Sequence, residues 1–224
     1  MILHIANGSE LKKYLTAKCA TDQKVIAFNE SMITGACSEE IFSEAFFRLR
    51  AESLQVDYDR YTELTIVELT DLLPPSPDGI VLWFDADMFC MMNVLTLCAY
   101  LDTVNYQGSV ELRLVRQNFW QCDEWQDIVY TAYSIDCRGY YAVYRDVLCQ
   151  KQIQAKEYPV FDELNAGISL YANYISPHGD IRSAIAGLVK ENRSKQFILK
   201  TISEQYSHYG IGDYNIQLIY RDMI

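Results

Sequence analysis

The chain predicts an α/β fold: a Rossmann-like, mostly parallel sheet with flanking helices, followed by a mainly helical C-terminal part. Three observations predict it. Short apolar runs alternate with stretches of helical periodicity through the first half, the signature of strands joined by helical crossovers. The run Ile80 to Phe84 is apolar at successive positions, as a strand buried on both faces requires. After Phe119 helical spacing dominates. On that change of pattern we divide the chain into an α/β domain, residues 1–118, and a mainly helical domain, residues 119–224.

Ile2 to Ala6 reads as a strand, stopped by Asn7-Gly8-Ser9. The helix after it carries Leu11, Tyr14, Leu15 and Ala17 at helical spacing. Lys24 to Phe28 is a second strand. A helix from Ser38, with Ser38 as N-cap, turns Ile41, Phe42, Ala45, Phe46 and Leu49 to one face. A third helix covers Tyr58 to Leu73 and ends at the breaker Pro74-Pro75-Ser76-Pro77-Asp78-Gly79. The Ile80 strand leads into an apolar helix, Met88 to Tyr100, and Val110 to Val115 makes a fourth strand. Beyond it, Tyr140 to Cys149, Val160 to Tyr174, Ile181 to Lys190 and Phe197 to Tyr206 predict helices. Two glycines in Tyr209-Gly210-Ile211-Gly212-Asp213-Tyr214 then turn the chain into a short strand, Ile216 to Tyr220. Helix, turn and strand in that order give the end of the chain a winged-helix-like pattern.

Half of the 224 residues are apolar, enough for a sizeable core. The net charge of −11 is uneven: residues 181–224 carry six basic and four acidic side chains, leaving −13 for the first 180. Broad binding to a phosphate backbone needs Lys and Arg, so nucleic acid is an unlikely partner. The seven cysteines, Cys19 among them, form no C-x-x-C pair and fall mostly in apolar or helical stretches. They predict reduced, packed thiols of a cytoplasmic protein. The N-terminus lacks a basic and long apolar leader, and no apolar stretch is long enough to span a bilayer. Neither an export signal nor a membrane anchor is expected.

Charge is expensive at one place. Trp83-Phe84-Asp85-Ala86-Asp87 joins two strongly apolar runs, and a buried ionised carboxylate must be paired, hydrogen-bonded or neutralised. In an open parallel sheet ligands bind beyond the carboxyl ends of the strands. Three strand ends offer polar groups: His4, Asn7, Gly8 and Ser9; Asn29, Glu30 and Ser31; Asp85 and Asp87. Candidate catalytic residues are therefore Asp85, Asp87, Glu30 and His4, and candidate ligand-binding residues Asn7, Gly8, Ser9 and Arg48. Asn7-Gly8-Ser9 either turns backbone N–H groups toward an anion or is an ordinary turn. Asp85 and Asp87 either hold a divalent metal or act as acid and base, or else Asp87 caps the next helix while Asp85 pairs with an arginine. Arg48 and Arg50 offer guanidinium groups to a phosphate or to these acids, or sit in surface ion pairs. His4 is either catalytic or a hydrogen-bonded core histidine. Cys90, with a helix start behind it, is expected to be buried.

These residues resemble bacterial proteins carrying the domain of unknown function 1835, in the form seen in Bacteroidetes-like sequences. The resemblance is carried by Leu3-His4-Ile5-Ala6-Asn7-Gly8, by Glu30, by Phe46 with Arg48, by Leu82 to Cys90 with Asn93, and by Tyr209-Gly210-Ile211-Gly212-Asp213. It implies a cytoplasmic bacterial protein with an α/β N-terminal domain, and it groups His4, Asn7, Glu30, Asp85 and Asp87. The chain departs from the pattern twice: Ser31 to Ala36 lacks a Gly-Pro, and Asp85 and Met91 stand where the family has Glu and Gln. Any family site at those positions is altered here.

Two functions are compatible with this sequence. One is binding of a nucleotide-like or phosphorylated small molecule at the strand ends, with metal-assisted or acid/base chemistry. The other is a non-catalytic regulatory or interaction module that uses the helical part and its share of the seventeen tyrosines, as a homo-oligomer or with a partner.

Overall fold

The computed structural model describes residues 1–18, 23–73, 77–153 and 157–224. Cys19 and Pro74-Pro75-Ser76 lie outside the described residues. Five strands form one sheet in the order β2-β1-β3-β4-β5: β1 (Ile2–Asn7), β2 (Lys24–Phe28), β3 (Gly79–Phe84), β4 (Ser109–Val115) and β5 (Val129–Ser134). The first four are parallel, and β5 runs antiparallel to β4. The helices are α1 (Ser9–Lys18), α2 (Glu44–Ser53), α3 (Tyr58–Tyr61), α4 (Val67–Leu69), α5 (Met88–Thr103), α6 (Trp125–Ile128), α7 (Tyr140–Tyr144), α8 (Asp162–Ile175), α9 (Asp180–Lys190), α10 (Lys195–Gln205) and α11 (Asp213–Met223). The α/β fold with a helical C-terminal region, α8 to α11, is as the sequence predicts.

The period-2 geometry of a strand sends neighbouring side chains to opposite faces. Ile80, Leu82 and Phe84 of β3, with Leu3 and Ile5 of β1, join the main core. Val81 and Trp83 face the other way into a smaller core with Ala6, Leu11 and Leu15. α5 lies in the main core: every residue from Cys90 to Leu101 is buried, as expected for a helix without a polar face. α8 packs against it so closely that a Cβ on Gly167 would stand 2.5 Å from Met91 Cβ.

Four local expectations need correction. The second helix begins at Glu44 with Ser43 as its cap, Ser43 Oγ accepting from the Phe46 N–H. Phe42 holds a left-handed backbone, φ +58°, which a continuous helix cannot accommodate. Ser38 instead closes a turn by accepting from the Glu40 N–H at 3.2 Å. The third helix stops at Leu69, and a π-helical turn, Thr62–Ile66, joins α3 to α4. The sheet also takes a fifth strand from beyond residue 118: Val129 to Ser134 alternates half-buried and exposed positions, too weakly apolar to read as a strand alone. Finally, Ile216 to Tyr220 is not a strand but part of α11, with Ile216 and Ile219 buried three residues apart, the spacing of one helix face. The chain end therefore has no winged-helix strand.

Candidate functional site

The crossover from β2 to β3 passes β1, so strand order reverses between β1 and β3. Ligands bind such sheets at this switch point. Because β1, β3 and β4 are parallel and in register, Asn7, Asp85, and Arg116 with Gln117 emerge at one edge. There they line a cleft of 170 Å³ together with Asp87 and Cys90.

Asp87 is the N-cap of α5 and accepts a 2.7 Å hydrogen bond from the Cys90 N–H, which satisfies one of the free amides at a helix start. Burial pushes its carboxyl up to about 6 against that hydrogen bond. Asp85 accepts from the Ala86 N–H at 2.6 Å. Its Oδ2 is buried, with the Gln117 side chain as the donor beside it. Burial raises its carboxyl too, opposed by the Ala86 amide and by Gln117. Both acids thus stand where a proton is easily held. From the C-terminal region Gly210, in a left-handed conformation at φ +67°, packs directly on the Asp87 carboxylate.

Behind the cleft runs a buried amide network. Asn7 Nδ2 donates to Cys90 Sγ at 3.0 Å. Asn93, fully buried, donates to Asn7 Oδ1 at 3.3 Å and to the Glu30 carbonyl at 3.0 Å, and accepts from the Met32 N–H at 3.2 Å. It ties the ends of β1 and β2 to α5. Cys90 is a packed side chain, and burial raises its thiol well above its ordinary value.

Glu30 touches this network through its backbone only. Its carboxylate turns away to a buried ion pair with Arg50 Nε at 2.6 Å. The same guanidinium donates to the carbonyls of Thr34 and Ala36 at 2.7 Å and of Ser31 at 2.8 Å. Burial raises the Glu30 carboxyl, against the pull of Arg50. The fork fixes the loop after β2 and holds Glu30 Oε2 on Arg50, away from the cleft lining.

The remaining candidates are dispersed. Gly8 adopts φ +87° and gives its N–H to the Phe28 carbonyl at 3.1 Å, so this amide is not free for an anion. Ser9 Oγ donates to Asn29 Oδ1 at 3.2 Å. Arg48 is exposed, paired with Glu44 at 2.7 Å and stacked over Tyr58. His4 lies on the opposite face of the sheet, stacked on Trp83, and is not grouped with Asn7, Asp85 and Asp87.

Arg116, Gln117 and Tyr130 were not candidates from the sequence. For Tyr130, on β5, burial and after it the charges of Asp85, Glu163 and Asp87 raise the hydroxyl. Its signal was hidden because β5 has no strong strand pattern. Arg116 and Gln117 directly follow a predicted strand, so applying the strand-end rule to β4 would have found them. Beside the cleft, Phe119 and the exposed Trp120 form with Tyr14 an aromatic shelf. Among the described residues, no three His, Cys, Asp or Glu side chains converge to hold a metal ion, and no helix is long and apolar enough to cross a membrane. No family model matches the chain, and neither does any curated protein.

Proposed function

We propose that the protein binds a small nucleotide-like or phosphorylated molecule at the β1/β3 switch point. The cleft that gathers Asn7, Asp85, Asp87, Arg116 and Gln117 there carries the reading. Its 170 Å³ is below the usual size of a cofactor pocket, so it takes one polar piece of the ligand, a sugar or a single phosphate. The aromatic remainder lies over Phe119 and Trp120, where a planar ring finds a stacking partner. Arg116 supplies the cationic group and Asn7 an amide. Asp87, with its carboxyl near 6, supplies a proton donor or acceptor close to neutral pH. Asp85 and Asp87 offer a divalent ion two carboxylates, which suits Mg²⁺ only when the ligand's own phosphate oxygens and water complete its shell. Membership of the domain of unknown function 1835 family belongs to the same proposal and rests on Asn7, Glu30 and the Leu82 to Asn93 segment.

The test is a thermal-shift screen of wild type, Asp85→Asn, Asp87→Asn and Arg116→Ala against mononucleotides, sugar phosphates and Mg²⁺. A ligand that binds only the native state raises Tm. A compound that stabilises wild type and loses its effect in Arg116→Ala and in either aspartate variant supports the site. Equal stabilisation of all four proteins rejects the site, and no stabilisation of any transfers the function to the interaction-module reading.

A further inference from the structure

A second cavity, 580 Å³, opens at the sheet edge opposite the Asp87 cleft, where the chain enters β4 past Gly108 and leaves β5 at Ile135. Cys137 is on its wall, between the exposed residues Asp136 and Arg138. Cys137 is 9% exposed, and Cys98, on α5, is sealed in the main core at 0%. Neither thiol is in a disulfide.

The fold holds the two sulfurs together. Cys98 and Asp102 are four residues apart on α5 and share one face of the helix. Asp102 Oδ2 accepts from the Gly139 and Tyr141 N–H groups, each at 3.0 Å, and the Ile135 N–H donates to the Val110 carbonyl at 2.9 Å. Residues 136–138 are thus pinned at both ends over that face, and the Cys98 and Cys137 thiols are hydrogen-bonded to each other. Burial, and after it the two sulfurs, raises the hydroxyl of Tyr140 beside them. Burial, Asp78 and then Cys137 push the hydroxyl of Tyr106, on the cavity wall, up to about 12. Cys137 is therefore the sulfur on the cavity side and Cys98 the one behind it.

We propose that Cys98 and Cys137 are a modification site: a dithiol that a small peroxide, admitted through this cavity, converts to an intrachain disulfide. Cys137 gives up its proton and its sulfur attacks one peroxide oxygen. The S–O bond forms as the O–O bond breaks, and the hydroxide released takes up that proton as water. Cys98 then attacks the Cys137 sulfur; the S–S bond forms, the S–O bond breaks, and the hydroxide leaves with the Cys98 proton as a second water. The two sulfurs are oxidised and the peroxide is reduced by two electrons. The order follows from access. It also follows from the Cys98 thiol, which the hydrogen bond with Cys137, and after it burial, raises well above its ordinary value.

The test exposes the full chain, reduced and freed of reductant, to hydrogen peroxide at pH 7.5. The reaction is quenched in acid, and remaining thiols are alkylated in denaturant and mapped by peptide mass spectrometry. The expected result is a linked Cys98–Cys137 peptide, with a rise in Tm because the link restricts the unfolded chain. Dithiothreitol should reverse both. Cys137→Ser should abolish the link and the Tm rise and leave Cys98 a free thiol. Cys98→Ala should stop at the Cys137 sulfenic acid, trapped by dimedone. Cys122→Ser and Cys149→Ser should behave as wild type. Mapping of the wild type decides the case if Cys98→Ala does not fold. The proposal is overturned if Cys98 and Cys137 stay reduced at millimolar peroxide, if either links to another cysteine, if Cys137 passes to the sulfinic acid unlinked, or if the link lowers Tm.

Discussion

Gly210 rests on the carboxylate of Asp87, leaving no space for a side chain between the turn before α11 and the cap of α5. The C-terminal region thereby forms part of the surroundings that keep Asp87 from water. Gly210 also needs its left-handed conformation, φ +67°, which an L side chain adopts at a cost of about 1–2 kcal/mol. Gly210→Ala is expected to destabilise by about 2–4 kcal/mol once the overlap with Asp87 is added. Gly187, exposed within α9 with nothing near its absent Cβ, is the control of opposite sign: Gly187→Ala should stabilise by up to about 1 kcal/mol. Urea unfolding midpoints of the two variants test both.

Asp87 has its folded-state carboxyl raised by burial to about 6, above its value in an unfolded chain. Between about pH 4 and pH 6 the native state holds the proton that the unfolded state has lost. Stability contributed by this group is therefore full at the acid end of that window and falls as pH rises through 6. Asp87→Asn keeps an N-cap acceptor for the Cys90 N–H and removes the charge. The variant should equal wild type at pH 4 and exceed it at pH 8 by on the order of 1–2 kcal/mol, discounted for partial solvent access. Denaturant titrations at both pH values decide it; a variant that is weaker at pH 8 would show that the ionised carboxylate is stabilised by its site.

Arg50 and Glu30 have fully buried side chains, and Arg50 donates to the Ser31, Thr34 and Ala36 carbonyls. Removing one partner strands a charge. Arg50→Ala is expected to cost about 3–5 kcal/mol, and Arg50→Lys to recover little, because an ammonium cannot reproduce the planar fork. Glu30→Gln, which keeps an acceptor facing Arg50, should be milder. Thermal and urea unfolding of the three variants would contradict this account if Arg50→Lys were as stable as wild type.

What was readable in the sequence follows from how strongly burial writes itself into residue type. β3 and α5 are enclosed on all sides, so Ile80 to Phe84 and Met88 to Leu101 are apolar almost throughout, and both were located from the residues alone. β5 is an edge strand with one half-buried face, and its Tyr130 and Tyr133 read equally well as helix or loop. At Ile216 to Tyr220 the β-rich composition suggested a strand, whereas burial of Ile216 with Ile219 follows the helical period. In the candidate site, Asp85, Asp87 and Asn7 were legible because strand ends in a parallel sheet share an edge. His4 was misgrouped with them: it lies three residues before Asn7 on the same strand, and an odd separation sends the side chain through to the opposite face. Arg50 was offered from the sequence as a partner for these acids, and it takes Glu30; which acid it meets is set by the path of the loop after β2, which no local pattern encodes.

Asn93 is the residue through which the cleft is held to the rest of the sheet. It sits one turn into α5, where a helix so apolar would otherwise carry a hydrophobic side chain. Its carboxamide is the acceptor for the Met32 N–H and the donor to both Asn7 Oδ1 and the Glu30 carbonyl. Asn93→Ala leaves a buried amide and a buried carbonyl without partners, at about 1–3 kcal/mol for such groups, so a loss of about 2 kcal/mol or more is expected. Asn93→Asp retains the acceptor for Met32 but removes both donors and buries a carboxyl, which makes it weaker at pH 8 than at pH 5. The distinguishing readout is local. Freed from Asn93, Asn7 keeps only its contact with Cys90 Sγ, while Asp85 keeps its hydrogen bond from Ala86. Under conditions where Asn93→Ala remains folded, its response to a ligand of the switch-point cleft should fall while the fluorescence of Trp83, in the smaller core on the other face of the sheet, is unchanged. A parallel change in both would mean that the substitution loosens the whole sheet and not the cleft.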